Sequence, residues 1–165
     1  MKAVAKCLGK EVLRETDKDA VLANMSALRE KCGDRAVLRA LHFFAENDRV
    51  GEQVDALKAG DTDKFLRLAI ESGSSSFRWL QNVYTTKNVA EQGVSLALCL
   101  SEGWLRARCG DKCGYRVHGG GFAGTIQAFV PVKDADDYAA FMEQYFGAGK
   151  VYILRVRPEG AIRLA

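Results

Sequence analysis

The residues best suited to chemistry sit in one run, Arg116-Val117-His118-Gly119-Gly120-Gly121-Phe122-Ala123-Gly124. Consecutive glycines between two β-prone stretches imply left-handed backbone or the close approach of another group. A row of N–H groups with no side chains over it holds an anion such as a phosphate. His118 directly precedes the glycines and is placed to face that anion. Spacing alone does not separate this reading from a glycine-rich turn with no ligand. Gly119, Gly121 and Gly124 also match the dinucleotide fingerprint, but that motif needs a helix to open at the glycines, and a strand is expected here.

Other candidates carry less. Gly73-Ser74-Ser75-Ser76 resembles a phosphate-cradling loop, yet it lacks the accompanying lysine and follows a helix, so it reads as a helix-breaking turn. His42, beside Phe43 and Phe44 in a helical pattern, reads as a packing residue. Glu46 and Arg49 are placed to pair at i,i+3, as a surface ion pair of little energetic weight. Cys109 and Cys113 flank a turn, but a zinc site needs two further ligands and His42 and His118 are the only histidines. They read as free thiols, and no metal site is expected.

The elements that must position these residues are mostly helices. Asp19 to Lys31 carries Val21, Leu22, Met25 and Leu28 at helical spacing and stops at Gly33. Asp34 is the expected N-cap of a long helix to about Lys58, with Val37, Leu38, Leu41, Phe44, Val50, Val54 and Leu57 as its apolar positions. Gly51 lies inside that pattern. Asp61 opens another helix, which Ser72 to Ser76 interrupts, and a further helix is expected from about Asn88 to Trp104. Beyond it, Tyr115–Val117 and Thr125–Val130 read as strands, the second ended by Pro131. Asp134–Phe146 reads as an amphipathic helix, and Val151–Val156 as a strand returning to the sheet. The order predicts an α+β fold, helices packed on a small antiparallel sheet, in a single domain over residues 1–165.

Composition narrows the function. The 165 residues carry a formal net charge of only +3, with acids and bases interleaved, which argues against a nucleic-acid binder. No apolar run approaches the roughly 18 residues that span a bilayer. Five cysteines, an odd number, with no signal peptide ahead of them predict free thiols in a cytoplasmic protein.

Val117 to Pro131 (VHGGGFAGTIQAFVP) resembles the glycine-rich third motif of the GHMP sugar and metabolite kinases, in its galactokinase form. Gly9–Glu15 (GKEVLRE), Arg39–Val50 (RALHFFAENDRV) and Glu71–Tyr84 (ESGSSSFRWLQNVY) resemble the same family in the same order. The loop departs from the commoner pattern at His118, where a small hydroxyl residue is usual, and at Ala123, where a glycine is usual. The resemblance implies a ferredoxin-like C-terminal domain whose loop, His118 to Gly124, lines a cleft. It also implies phosphorylation of galactose at C1 by ATP with Mg²⁺. By the same resemblance the catalytic aspartate, the galactose signature and the nucleotide loop belong to an N-terminal half not seen in this sequence. The chain alone is then expected to be inactive and to show apolar surface where that half docks. Two alternatives remain: a stand-alone binding or regulatory domain, and a kinase for a related sugar such as N-acetylgalactosamine.

Overall fold

The computed structural model describes residues 1–122, 124–156 and 159. Among the described residues there are seven α-helices and one antiparallel hairpin, besides two short 3-10 turns and a π-turn: α1 (Lys2–Cys7), α2 (Lys18–Ala23), α3 (Met25–Cys32), α4 (Asp34–Lys58), α5 (Thr62–Ser75), α6 (Gly93–Cys109), β1 (Gly114–His118), β2 (Thr125–Phe129) and α7 (Ala135–Phe146). This is the expected α+β arrangement. The hairpin register runs from Gly114 opposite Phe129 to His118 opposite Thr125, so the glycine run closes the turn between the strands.

Among the described residues, two hydrophobic clusters hold the fold together. One joins α6, α7 and the hairpin through Val83, Leu98, Leu105, Val117, Tyr138 and Met142. Here the Tyr138 and Ser101 hydroxyls, both buried, share a hydrogen bond of 2.6 Å. The other joins the N-terminal helices to α4 through Val4, Leu13, Val21, Leu28, Val37 and Ala40. Side-chain oxygens cap two of the helices: Asp17 accepts from the Ala20 N–H at 2.7 Å, and Asp61 from the Lys64 N–H at 2.9 Å.

Several expectations need correction. The segment read as one helix over Asp19–Lys31 breaks at Asn24 into α2 and α3. Asp34 does not cap α4: Gly33, at φ +78°, holds that position, and Asp34 pairs with Arg29 at 2.6 Å. Gly51 does not interrupt α4, which runs 25 residues. The second half of that helix packs against α5 through the buried Ala56 and leaves Val50, Val54 and Leu57 exposed. The helix expected from Asn88 starts only at Gly93 and continues to Cys109.

Two corrections bear on the site. Ser72 to Ser75 is not a turn but the last turn of α5, and the chain continues from it as a π-turn over Ser76–Leu80. Ser72, Gly73, Ser75 and Ser76 are all buried. Their smallness serves packing rather than breaking: a Cβ on Gly73 would lie 3.0 Å from the Arg116 Cβ and 3.2 Å from the Tyr115 carbonyl oxygen. Only a small residue lets α5 press this closely against β1.

Val151–Val156 does not return to the sheet, which is two-stranded among the described residues. Tyr152, Ile153, Leu154 and Val156 are exposed. A β-prone composition becomes a strand only when an edge and a face to bury against are within reach. At its start Glu143 Oε1 accepts from the N–H groups of Gly149 (2.8 Å) and Val151 (3.4 Å).

Candidate functional site

The glycine loop is built outward from the hairpin. Gly119 (φ +72°) and Gly121 (φ +77°) are left-handed, and so is Phe122 (φ +63°), a conformation non-glycine residues seldom adopt without support. That support is Asn82. Its carbonyl oxygen accepts from the Phe122 N–H at 2.6 Å, and its Nδ2 donates to the Gly120 carbonyl at 3.3 Å. Gly121 lies so close to Asn82 that a Cβ there would stand 2.0 Å from the Asn82 carbonyl oxygen. Asn82 is buried, and its Oδ1 has no hydrogen-bond partner among the described residues.

Asn82 is itself positioned from the far side. The π-turn ends at Leu80, and Gln81 takes a left-handed conformation (φ +55°) that turns the chain out of the helix. Arg39 Nε donates to the Leu80 carbonyl at 3.0 Å, and Arg35 Nη2 to the Gln81 carbonyl at 3.3 Å. One turn apart on α4, these two guanidiniums clamp the strand of backbone that holds the loop. Three of the four segments singled out in the sequence therefore meet here: Arg39, Leu80–Asn82 and the glycines. The fourth, Gly9–Glu15, does not, because Leu13 anchors it in the N-terminal cluster.

The loop leaves room for a ligand at its outer rim. Cβ atoms built on Gly119 and Gly120 would touch nothing within 4 Å, and His118, Gly119 and Gly120 are exposed. Phe122 is exposed as well, while its N–H is committed to Asn82. Gly124 packs under the His118 carbonyl, with a built Cβ at 3.3 Å from that oxygen. Ala123 lies outside the described residues. Asn82, Arg35 and Arg39 were not singled out by residue type or spacing, since their contacts to the loop system cross 38 to 46 positions of sequence.

Behind the loop, α4 and α5 enclose a polar cluster. His42 Nδ1 and Ser75 Oγ share a hydrogen bond of 2.8 Å, so the histidine is a packing residue with its polar needs met. Glu46 pairs with Arg49 and accepts from Ser72 Oγ at 2.6 Å. The pair is not the surface pair expected: the side chains are only 13% exposed for Arg49 and 23% for Glu46. Among the described residues, no three histidine, cysteine or acidic side chains come together to hold a metal ion.

Burial holds the His42 imidazole below its ordinary value; Glu46 opposes that, and Arg49 and Arg116 add to it. The unfolded chain therefore takes up this proton first as pH falls. Stability linked to His42 is fully present above about pH 6.5 and declines below it, by at most about 1.4 kcal/mol per pH unit. We expect His42→Gln, which keeps a hydrogen-bonding group toward Ser75, to lose less Tm than the parent chain between pH 7.5 and 5.5. Equal losses in thermal melts would remove His42 from the acid response.

A second concavity, about 390 Å³, opens between α5, α6 and β1, with Arg78, Arg106 and Arg116 on its walls. Burial, and secondarily Glu102, push the Tyr115 hydroxyl in it up to about 12.

No family model matches the chain. Curated relatives do. Galactokinase of Bos taurus is 31% identical over 152 residues, which is 91% of this chain and 34% of the relative. Galactokinase of Homo sapiens is 28% identical over 159 residues, 96% of this chain and 36% of the relative. Galactokinase of Limosilactobacillus reuteri is 29% identical over 119 residues, 72% of this chain and 26% of the relative. The chain thus spans between about a quarter and a third of the curated relatives it matches, and over most of its own length it is similar to part of a galactokinase.

Proposed function

We propose that this chain is the C-terminal part of an ATP-dependent sugar kinase and supplies one wall of its active-site cleft, with galactose phosphorylated at C1. The observation that carries the reading is the glycine loop, braced by Asn82 and open along Gly119 and Gly120, within a chain similar to galactokinases over most of its length. Phosphoryl transfer rests on positioning and on electrostatic stabilisation of the transferring group. In this reading the loop, His118 to Gly124, presents backbone to the phosphates along Gly119 and Gly120, where no side chain stands over it. The exposure of His118 beside Gly119 and Gly120 supports a role for it at that rim.

The catalytic base, the nucleotide loop and the Mg²⁺ ligands belong, in this reading, to an N-terminal half. The chain then contributes no catalytic residue and is inactive alone. The exposed apolar residues of α4 (Val50, Val54, Leu57) are consistent with a surface that another part of the protein covers. No helix among the described residues is long and apolar enough to cross a membrane. A cytoplasmic location fits a kinase that draws on ATP.

The test is ADP release by the chain with ATP, Mg²⁺ and galactose, with and without a separately produced N-terminal galactokinase half. Silence from the chain alone, and turnover once the halves are combined, is the expected result. Turnover by the chain alone would show that the nucleotide site has been misplaced. Halves that bind each other in gel filtration yet stay silent would overturn the cleft reading. Faster turnover on N-acetylgalactosamine than on galactose would reassign the sugar alone.

A further inference from the structure

The sulfur atoms of Cys7 and Cys32 are 3.2 Å from each other; the Cys109 and Cys113 thiols also interact, but Cys113 is buried, whereas Cys7 is exposed. Cys7 is the last residue of α1 and Cys32 the last of α3, and the two helices pack side by side. Cys7 is exposed and Cys32 half-buried. A disulfide bond is about 2.05 Å long, so the sulfurs need to close by only about 1.2 Å, within reach of side-chain rotation. The two thiols are 25 positions apart, and the segment between them contributes Leu13, Val21 and Leu28 to the N-terminal hydrophobic cluster.

We propose that Cys7 and Cys32 form a dithiol modification site, oxidised by low-molecular-weight disulfides to a reversible clip between α1 and α3. The site stands on this geometry alone and is independent of the kinase reading. The exposed Cys7 thiolate attacks a sulfur of glutathione disulfide, forms a mixed disulfide and releases one glutathione thiolate. The Cys32 thiolate then attacks the Cys7 sulfur and expels the second glutathione. Two protein thiols are oxidised, one glutathione disulfide is reduced to two thiols, and the protein's two protons pass to the released thiolates or to solvent. The contact with Cys7 holds the Cys32 thiol above its ordinary value, and Cys7, the more exposed of the two, is the first attacker.

The clip closes a loop across the N-terminal cluster, and its main effect is to restrict the unfolded chain. Treating the whole chain with excess glutathione disulfide should lower the thiols titrated in denaturant from five to three. Trypsin should then release Cys7–Lys10 joined to Cys32–Arg35, two hydrogens lighter than the sum of the free peptides. Tm should rise by roughly 5–10 °C and return on adding dithiothreitol. Cys32→Ser should abolish the linked peptide and the rise, while Cys99→Ser leaves both. A persistent glutathione adduct on Cys7 without the linked peptide would overturn the proposal. So would a crosslink that joins only Cys109–Lys112 to Cys113–Arg116, or the linked peptide with Tm unchanged. The peptide mass is read on the parent chain, so the result does not depend on any variant folding.

Discussion

Replacing Gly121 with alanine is expected to destabilise the chain by about 3 kcal/mol and to detach the glycine loop from Asn82. Two costs add. A side chain at φ +77° costs roughly 1 kcal/mol. The new Cβ would also stand 2.0 Å from the Asn82 carbonyl oxygen, a backbone atom that cannot swing aside, and forcing such overlap costs about 1–3 kcal/mol. In a chain of this size that corresponds to a fall in Tm of roughly 6–12 °C. Gly120→Ala is the matched comparison, since its Cβ meets nothing within 4 Å and its φ is not left-handed. It should shift Tm by no more than a degree or two. Equal effects at the two positions would mean that Asn82 does not set the shape of the loop.

Glu46→Ala should cost about 3–4 kcal/mol, because it leaves the nearly buried Arg49 guanidinium without its carboxylate. Among the described residues, only the longer ion pair to the largely exposed Glu71 would remain. Arg49 Nε has no hydrogen-bond partner among the described residues, and Glu71 Oε2 lies 3.8 Å away. The Ser72 hydroxyl would lose its acceptor as well. Glu46→Gln, which keeps an acceptor for Ser72, should fall between. Adding Arg49→Met to Glu46→Ala should recover part of the loss, since the poorly compensated charge is then gone. Urea denaturation of the four chains measures this directly. A Glu46→Ala loss below about 1 kcal/mol would return the pair to the surface class assigned from its spacing.

The contrast between these positions shows where the sequence is informative. The glycine loop was legible because three adjacent glycines between β-prone runs have few other uses. The helices were legible because their apolar residues recur at helical spacing. Ser72–Ser76 misled for a physical reason: serine and glycine favour turns locally, but here they are needed where α5 touches β1 and where α4 needs hydroxyl partners. Val151–Val156 misled in the opposite sense, its β-prone composition lacking an edge to pair with. Asn82 carried no signal in its residue type or spacing, only its place within the Glu71–Tyr84 segment. Its role exists because the fold brings it against residues 38 positions away.

The π-turn at Ser76–Leu80, closed by the Gln81 N–H on the Ser76 carbonyl at 2.8 Å, makes the chain count residues there. A π-turn holds one residue more than the α-helical turn it replaces, and each residue advances a helix by about 100°. Losing any one residue from the turn would let α5 run on regularly, while swinging Asn82 about a quarter-turn away from the glycines. Side chains in this stretch can therefore vary more freely than its length. A deletion here would leave the helix intact and still disconnect the loop from the arginines of α4.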